Sequence, residues 1–246
     1  MKTLFLLPLL LLTFSLGEKE EKALVRNLEK NLVEFENGKY LAQQEVSNRM
    51  YRQFLETMEA EGRDISAWQI QPQGWKQLSP TWHWLAEAYH SDEDWADYPV
   101  VNVPHQGAHA FCAWLTEVYN QSSHRKEFEK VEVRLPSREE WLTAATPENQ
   151  AVFPWGDLFL TEPEGTVRAN YRRTPEFLLA NRPGENSLTI RDHGGAVPMR
   201  PAPQRPPLNP VEMFIQTESG LANLCGNAAE MLLQPGQTIG GSWNSA

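Results

Sequence analysis

The chain has 246 residues, with 22 Lys and Arg against 32 Asp and Glu, and a formal net charge of −10. This length can bury a sizeable core, and 41% hydrophobic with 22% charged residues is typical of a globular protein. The acidic balance argues against a nucleic-acid-binding protein, which needs a basic surface to displace counterions from phosphate. We therefore expect no nucleic-acid partner.

Residues 1–17 predict a cleavable signal peptide. Lys2 supplies a positive charge, residues 4–16 form an apolar run, and Ser15 and Gly17 place small residues at −3 and −1 relative to cleavage after Gly17. The run is shorter than the roughly 20 residues that span a bilayer. We expect an exported protein, periplasmic or secreted, with no transmembrane span after cleavage.

The next segment predicts a charged leader helix at 18–32, in which leucines recur at helical spacing. The stretch at 32–36 is strand-like, and the Asn-Gly pair at 37–38 is typical of a tight turn. The sequence therefore predicts a strand and turn at the start of a single domain that extends over 33–246.

Helix signals follow at three places. Ser47 is a suitable N-cap for an amphipathic helix, and the apolar residues within 108–118 recur at helical spacing. Ser137 and Glu140 form the capping-box pattern that starts another helix. Before the second helix, the β-branched run at 100–103 predicts a short strand.

Two long segments predict irregular structure. Residues 64–98 show no lasting period, and the interpretation we favour is a loop-rich core rather than a platform for carbohydrate. Five of the nine tryptophans lie there, namely Trp68, Trp75, Trp82, Trp84 and Trp95. Residues 163–210 hold nine of the 18 prolines and seven arginines. We expect no regular structure there, because proline removes backbone donors, and both a linker and a long ordered loop stay open.

Sites for common chemistries are weak. His105 and His109 have the spacing of two ligands on one metal, but Gln106 stands where a zinc protease of this type needs its glutamate. Two surface or half-buried histidines are the favoured interpretation. The acidic residues at 92–97 are expected to form a solvated loop rather than an acid–base pair.

Two further features leave alternatives open. Cys112 and Cys225 are compatible with a mutual disulfide and with two small buried apolar residues. The loop at 223–230 (NLCGNAAE) contains the oxygen ligands that calcium prefers, yet a simple tight turn is compatible with the same residues.

Six short motifs follow one another in the chain. They are EVSN at 45–48 with Tyr51 and Phe54, YPVVNV at 98–103 with AFCAWL at 110–115, RLPSREEW at 134–141, FPWGD at 153–157, GL at 220–221 with GN at 226–227 and Glu230, and GGSW at 240–243. Together they resemble the motifs of the formylglycine-generating enzyme family, also called the sulfatase-modifying factor family. The resemblance implies an α+β domain, the formylglycine-generating-enzyme variant of the C-type lectin fold, which is loop-rich with few short helices and strands.

The resemblance also implies structural calcium. The family's calcium loop falls on Asn223, Gly226, Ala228 and Glu230. A second family site would fall on Asn170, Tyr171, Asp192 and Gly194.

The catalytic positions depart from the family. Its oxidase members hold copper through two cysteines, and the first position is Ser245 here, close to the retained family serine Ser242. The second position would lie beyond Ala246. A hydroxyl does not replace the soft thiolate that selects Cu(I), so we expect calcium but no copper.

These expectations favour an exported, non-catalytic binding or structural component of an envelope or secretion assembly. Its partner would be a protein or peptide, with carbohydrate as a further candidate. The alternative is a formylglycine-generating oxidase that acts on a sulfatase cysteine. In that case the domain is C-terminally incomplete and the catalytic cysteines are missing from this chain.

Overall fold

A computed structural model describes residues 16–78, 80–146, 153–156, 167–171 and 206–245, together with the backbone of 177–181 and 188–192. Most of the predicted signal peptide lies outside these residues. Within them, the helices are α1 (Glu18–Lys30), α2 (Asn48–Ala60), α3 (Gly74–Leu78), α4 (Leu85–Ala88), α5 (His105–Gln121) and α6 (Arg138–Ala145). The strands are β1 (Leu32–Glu36), β2 (Lys39–Ala42), β3 (Phe177–Asn181), β4 (Leu188–Asp192), β5 (Glu230–Met231) and β6 (Thr238–Ile239).

The first helix, α1, is packed into the fold. Leu24 and Val25 are buried. Oε1 of Glu29 accepts hydrogen bonds from the Tyr119 hydroxyl at 2.7 Å and from the backbone N–H of Lys126 at 2.6 Å. The helix ends before Leu32, which begins β1, and the predicted Asn-Gly turn joins β1 to its antiparallel partner β2.

The largest core cluster lies between α2 and α5. Ser47 caps α2 as predicted, and its Oγ accepts from the backbone N–H of Met50 at 3.3 Å. The ring of Phe54 lies 5.8 Å from that of Phe111 in an edge-to-face arrangement and 5.6 Å from that of Trp114. Such pairs contribute about 0.5–1.5 kcal/mol each beyond the burial of apolar area.

The strand predicted at 100–103 is wrong. Pro99 makes an isolated bridge to Ser47, and the Val100 N–H donates to the Val46 carbonyl at 2.8 Å. Asn102 then adopts a left-handed conformation with φ 59°. This conformation breaks an extended strand, and asparagine is one of the few non-glycine residues that adopts it readily.

The tryptophan-rich segment is more ordered than predicted. Instead of long loops alone it forms α3, α4 and two single-turn 3-10 helices. Trp75 is 1% exposed and its ring lies 5.1 Å from that of Tyr89. The other four tryptophans are partly buried against the core clusters, namely Trp68, Trp82, Trp84 and Trp95. The tryptophans therefore build a core, in agreement with the favoured interpretation.

The predicted capping box of α6 is confirmed. Ser137 Oγ accepts from the Glu140 N–H at 3.2 Å, and Glu140 Oε2 accepts from the Ser137 N–H at 2.9 Å. Arg134 donates to both oxygens of Glu140, at 2.6 and 2.8 Å, and chiefly through this pairing lowers the pKa of Glu140 to about 2. Trp141 then packs on Leu224, so α6 is joined to the C-terminal loops.

The expectation of no regular structure over 163–210 is also wrong. β3 and β4 form an antiparallel hairpin in which Phe177 pairs with Asp192. The strands contain no proline, because Pro175 and Pro183 lie outside them.

None of the helices among the described residues has the length and apolar character needed to cross a membrane. The observed mixture of short helices, two-stranded pairs and long loops confirms the predicted α+β class.

Candidate metal centre

The predicted calcium loop is a tight, irregular segment between residue 222 and β5. Asn223 and Asn227 both adopt the left-handed conformation, with φ 55° and 56°. The Gly226 N–H donates to the Gly240 carbonyl at 3.0 Å, and Gly226 forms an isolated parallel β-bridge with Asn170. The loop is therefore held from two sides, by the turn after β6 and by the segment around residue 170.

Two buried oxygens in this loop have no hydrogen-bond donor among the residues that the structure describes. They are Oδ1 of Asn223 and Oε2 of Glu230, both among the ligands that the family resemblance implies. A buried acceptor without a partner costs about 1–3 kcal/mol. A cation that takes oxygen ligands would remove this cost at an atom that it contacts, and in the chemistry of these oxygens the residues present fit calcium.

A third oxygen, the Leu224 carbonyl, lies near Oε2 of Glu230 at Gly240. A Cβ on Gly240 would lie 2.6 Å from the Leu224 carbonyl oxygen and closer still to Oε2 of Glu230. Only a residue without a side chain leaves these two oxygens room to approach each other. Neither Leu224 nor Gly240 was predicted from the sequence as part of the site.

Two buried carboxyl groups give the region its electrostatic character. Burial raises the pKa of Glu45 to about 7, against the opposing effect of hydrogen bonds from Asn227, Ala228 and Asn223. Burial, and then the charge of Glu45, raise the pKa of Glu230 well above its usual range. Ionising both groups therefore places two negative charges in the interior, and a divalent cation is the group that would balance them.

The residues of the predicted second calcium site are placed unequally. The Asn170 carbonyl accepts from the Asn227 N–H at 2.7 Å, and Asn170 Nδ2 donates to Asn227 Oδ1 at 3.0 Å. Asn170 thus lies against the first loop, and Tyr171 is its neighbour in the sequence. Asp192 is the last residue of β4, where only its backbone is described, and Gly194 lies outside the described residues. The second site stays a prediction.

The two serines at the family's catalytic positions form a tight turn with each other. The Ser242 N–H donates to Ser245 Oγ at 3.0 Å, and the two hydroxyl oxygens lie 3.2 Å apart. The Ser245 N–H closes the turn on the Ser242 carbonyl at 2.9 Å. These are hard oxygen donors, which are poor ligands for Cu(I).

The cysteines are both free, so the mutual disulfide is not formed. Cys112 is buried in the core between α2 and α5, and burial raises the pKa of its thiol to about 11. Burial, and then the charge of Glu230, also raise the pKa of Cys225. Both environments disfavour the reactive thiolate.

The other candidate sites agree with the structural interpretations. His105 Nε2 lies 3.0 Å from the Leu232 carbonyl oxygen, and its ring packs on His109 at 4.6 Å. The acidic loop makes surface ion pairs, including Arg49 to Asp97 at 3.1 Å. Within the part of the chain that the structure describes, no three His, Cys, Asp or Glu side chains gather as a metal site. The candidate centre differs because amide and carbonyl oxygens would supply much of its donor set.

Sequence reasoning missed Glu45, which lies at the centre of the hydrogen-bond network of this site. It belongs to the EVSN motif at 45–48, but 178 residues separate it from Asn223. No spacing rule connects residues so far apart in sequence.

The short helices, two-stranded pairs and long loops define a loop-rich α+β domain. The family model described as "Sulfatase-modifying factor enzyme 1-like domain" matches residues 13–239. The chain therefore belongs to the sulfatase-modifying factor family, as the six motifs predicted. A comparison with curated proteins finds no relative.

Proposed function

We propose that this chain is an exported, calcium-stabilised member of the family that acts by binding and does not carry out copper oxidase chemistry. It would serve as a structural component of an envelope or secretion assembly, in the periplasm or outside the cell, with a protein or peptide as its partner. The observation that carries this proposal is the serine turn at 242–245, where the resemblance implies a copper-binding thiolate.

The hydroxyl of Ser245 is already engaged with Ser242, and neither oxygen has the softness that Cu(I) requires. The fold motifs around the turn are retained, including a Trp243 N–H that donates to the Asn227 carbonyl at 2.9 Å. A domain that keeps its scaffold but has a serine at the metal position is better suited to binding than to oxidation.

The test for catalysis is direct. The purified chain would be incubated with copper and a cysteine-containing sulfatase peptide, and the peptide analysed for formylglycine by mass spectrometry. We expect no conversion, and the Ser242→Ala variant should give the same trace as the unaltered chain. Formylglycine that depends on the unaltered chain would contradict the proposal.

The retained Ser242 favours a second candidate, a formylglycine-generating oxidase that acts on sulfatase cysteine. Under this alternative, the catalytic cysteines would belong to a longer polypeptide. Intact-mass analysis of the protein from its native source distinguishes the two. A longer polypeptide with a further cysteine would support the oxidase, and the peptide assay would then be repeated on that polypeptide.

The calcium part of the proposal is supported by the orphaned oxygens of Asn223 and Glu230. The carbonyl oxygens of Gly226 and Ala228 would complete the set that the resemblance implies. Binding to the folded state alone stabilises it by about 2.7 kcal/mol when free calcium is 100 times the Kd. Thermal unfolding with calcium, with magnesium and with chelator should show a higher Tm in calcium only. Identical curves would refute this part.

A further inference from the structure

We propose that Glu45 is a positioning residue of the calcium centre, which acts through Asn223 and so makes calcium binding depend on the docking of residues 43–48 against the loop. This inference rests on the calcium site proposed above. It assigns a role to a residue at the start of the domain in a site whose ligands all lie near its end.

The contacts of Glu45 show that it is not itself a ligand. Its Oε2 accepts from Asn223 Nδ2 and from Asn227 Nδ2, both at 2.9 Å. Its Oε1 accepts from the Ala228 N–H at 3.0 Å and from Asn227 Nδ2 at 3.2 Å. Polar hydrogens therefore occupy both carboxylate oxygens, so neither oxygen is free to coordinate a cation directly. The effect of Glu45 on calcium has to be transmitted through the groups that it holds.

The group that matters most is the amide of Asn223. Its Nδ2 donates to Glu45 and, at 3.0 Å, to the Val211 carbonyl. Both hydrogens of the amide are thereby used. This fixes which end of the amide carries the oxygen, and that oxygen is the buried Oδ1 without a donor. Glu45 thus orients a calcium ligand before the cation arrives, which is the usual work of groups behind a metal ligand.

The same carboxylate orders the rest of the loop. Asn227, which it holds through Nδ2, uses Oδ1 to accept from Asn170 Nδ2 at 3.0 Å and from the Asn209 N–H at 2.8 Å. Next to Glu45, the Gln43 carbonyl accepts from the Ala222 N–H at 2.8 Å. The segment that carries Glu45 is therefore docked on the loop by backbone as well as side-chain contacts.

The test compares calcium affinity in the full chain and in Glu45→Gln by isothermal titration calorimetry. The glutamine amide places an N–H group where the amides of Asn223 and Asn227 already donate. The Asn223 amide therefore loses the acceptor that holds it. We expect calcium affinity to fall about 10- to 100-fold, the usual loss for a group behind a metal ligand. Glu140→Gln is the matched control, because it removes a hydrogen-bonded carboxylate that contacts Arg134 and Ser137 and not the loop. The control should keep wild-type affinity.

A second variant separates position from charge and guards against a Glu45→Gln chain that does not fold. Glu45→Asp keeps the negative charge but withdraws the carboxylate by one methylene. Positioning predicts a loss of at least about tenfold in affinity for this variant too. Wild-type affinity in Glu45→Asp, or in a folded Glu45→Gln, would overturn the inference while leaving the calcium site intact. A wild-type chain that binds no calcium would overturn both.

Discussion

A half-buried histidine should contribute to the pH dependence of this domain's stability, and His90→Gln should remove that contribution. Trp75 Nε1 donates to His90 Nε2 at 3.3 Å, and His90 Nδ1 lies 3.0 Å from Asn48 Oδ1. A neutral ring with its proton on Nδ1 satisfies both contacts. If Nε2 were also protonated, its N–H would face the Nε1–H of Trp75, and two donors would meet without an acceptor. Burial accordingly lowers the pKa of His90 from 6.5 to about 4.

The direction follows from proton uptake in the two states. As the pH falls from 6.5 to 4, the unfolded chain binds a proton at this histidine while the folded chain does not. Protons bound at this histidine therefore favour unfolding across this window, and the contribution of His90 to the free energy of unfolding declines as the pH falls. At about 1.4 kcal/mol per pKa unit, the decline due to His90 amounts to about 3 kcal/mol.

The assay is urea unfolding of the wild type and His90→Gln at intervals from pH 7 to pH 4. We expect the variant to be less stable at pH 7 and the gap to close by about 3 kcal/mol at pH 4. Tyr89→Phe is the control. It removes a buried hydrogen bond to the Pro99 carbonyl, 2.7 Å long, and burial raises the pKa of Tyr89 far above this window. Its gap should not change with pH. A constant gap for His90→Gln would refute the reasoning.

Three further predictions concern the cap of α6, the calcium-dependent rise in Tm and the docking of α1. Glu140→Gln should cost about 1–3 kcal/mol in urea unfolding, since it weakens both the capping box and the arginine pair, whereas the exposed Glu139→Gln should cost under about 0.5 kcal/mol. Because the pKa of Glu140 is lowered to about 2, its contribution is lost as the pH falls from 4.5 towards 2, and an equal gap at pH 2.5 and pH 7 would contradict this. Gly226→Ala should abolish the calcium-dependent rise in Tm, because its Cβ would clash with the Asn170 backbone at positive φ. Gly236→Ala, at a similar φ but with open space around it, should cost only about 1 kcal/mol and keep the rise. Glu29→Gln should speed hydrogen exchange in α1 relative to α2, since Glu29 ties α1 to the segment after α5, and unchanged exchange would count against that role.

Features with a local physical cause could be predicted from the sequence. The capping box at Ser137 and Glu140 depends on atoms within one turn of chain, and so does the cap at Ser47. The high proline content of 163–210 as a whole does not predict the hairpin of β3 and β4. The relevant scale is five residues, and the strands fit between the prolines.

The same distinction between local and long-range causes applies to the candidate metal site. Its predicted ligands fall within one short loop, so a local pattern is sufficient to propose them. Its support comes from Glu45, Asn170 and Gly240, which reach the loop only after the chain has folded. The sequence shows two separate motifs, at 45–48 and at 223–230, without a reason for both to be present. The carboxylate of Glu45 offers such a reason, because the side-chain amides of Asn223 and Asn227 donate to it, and the Asn223 amide carries the oxygen proposed as a calcium ligand.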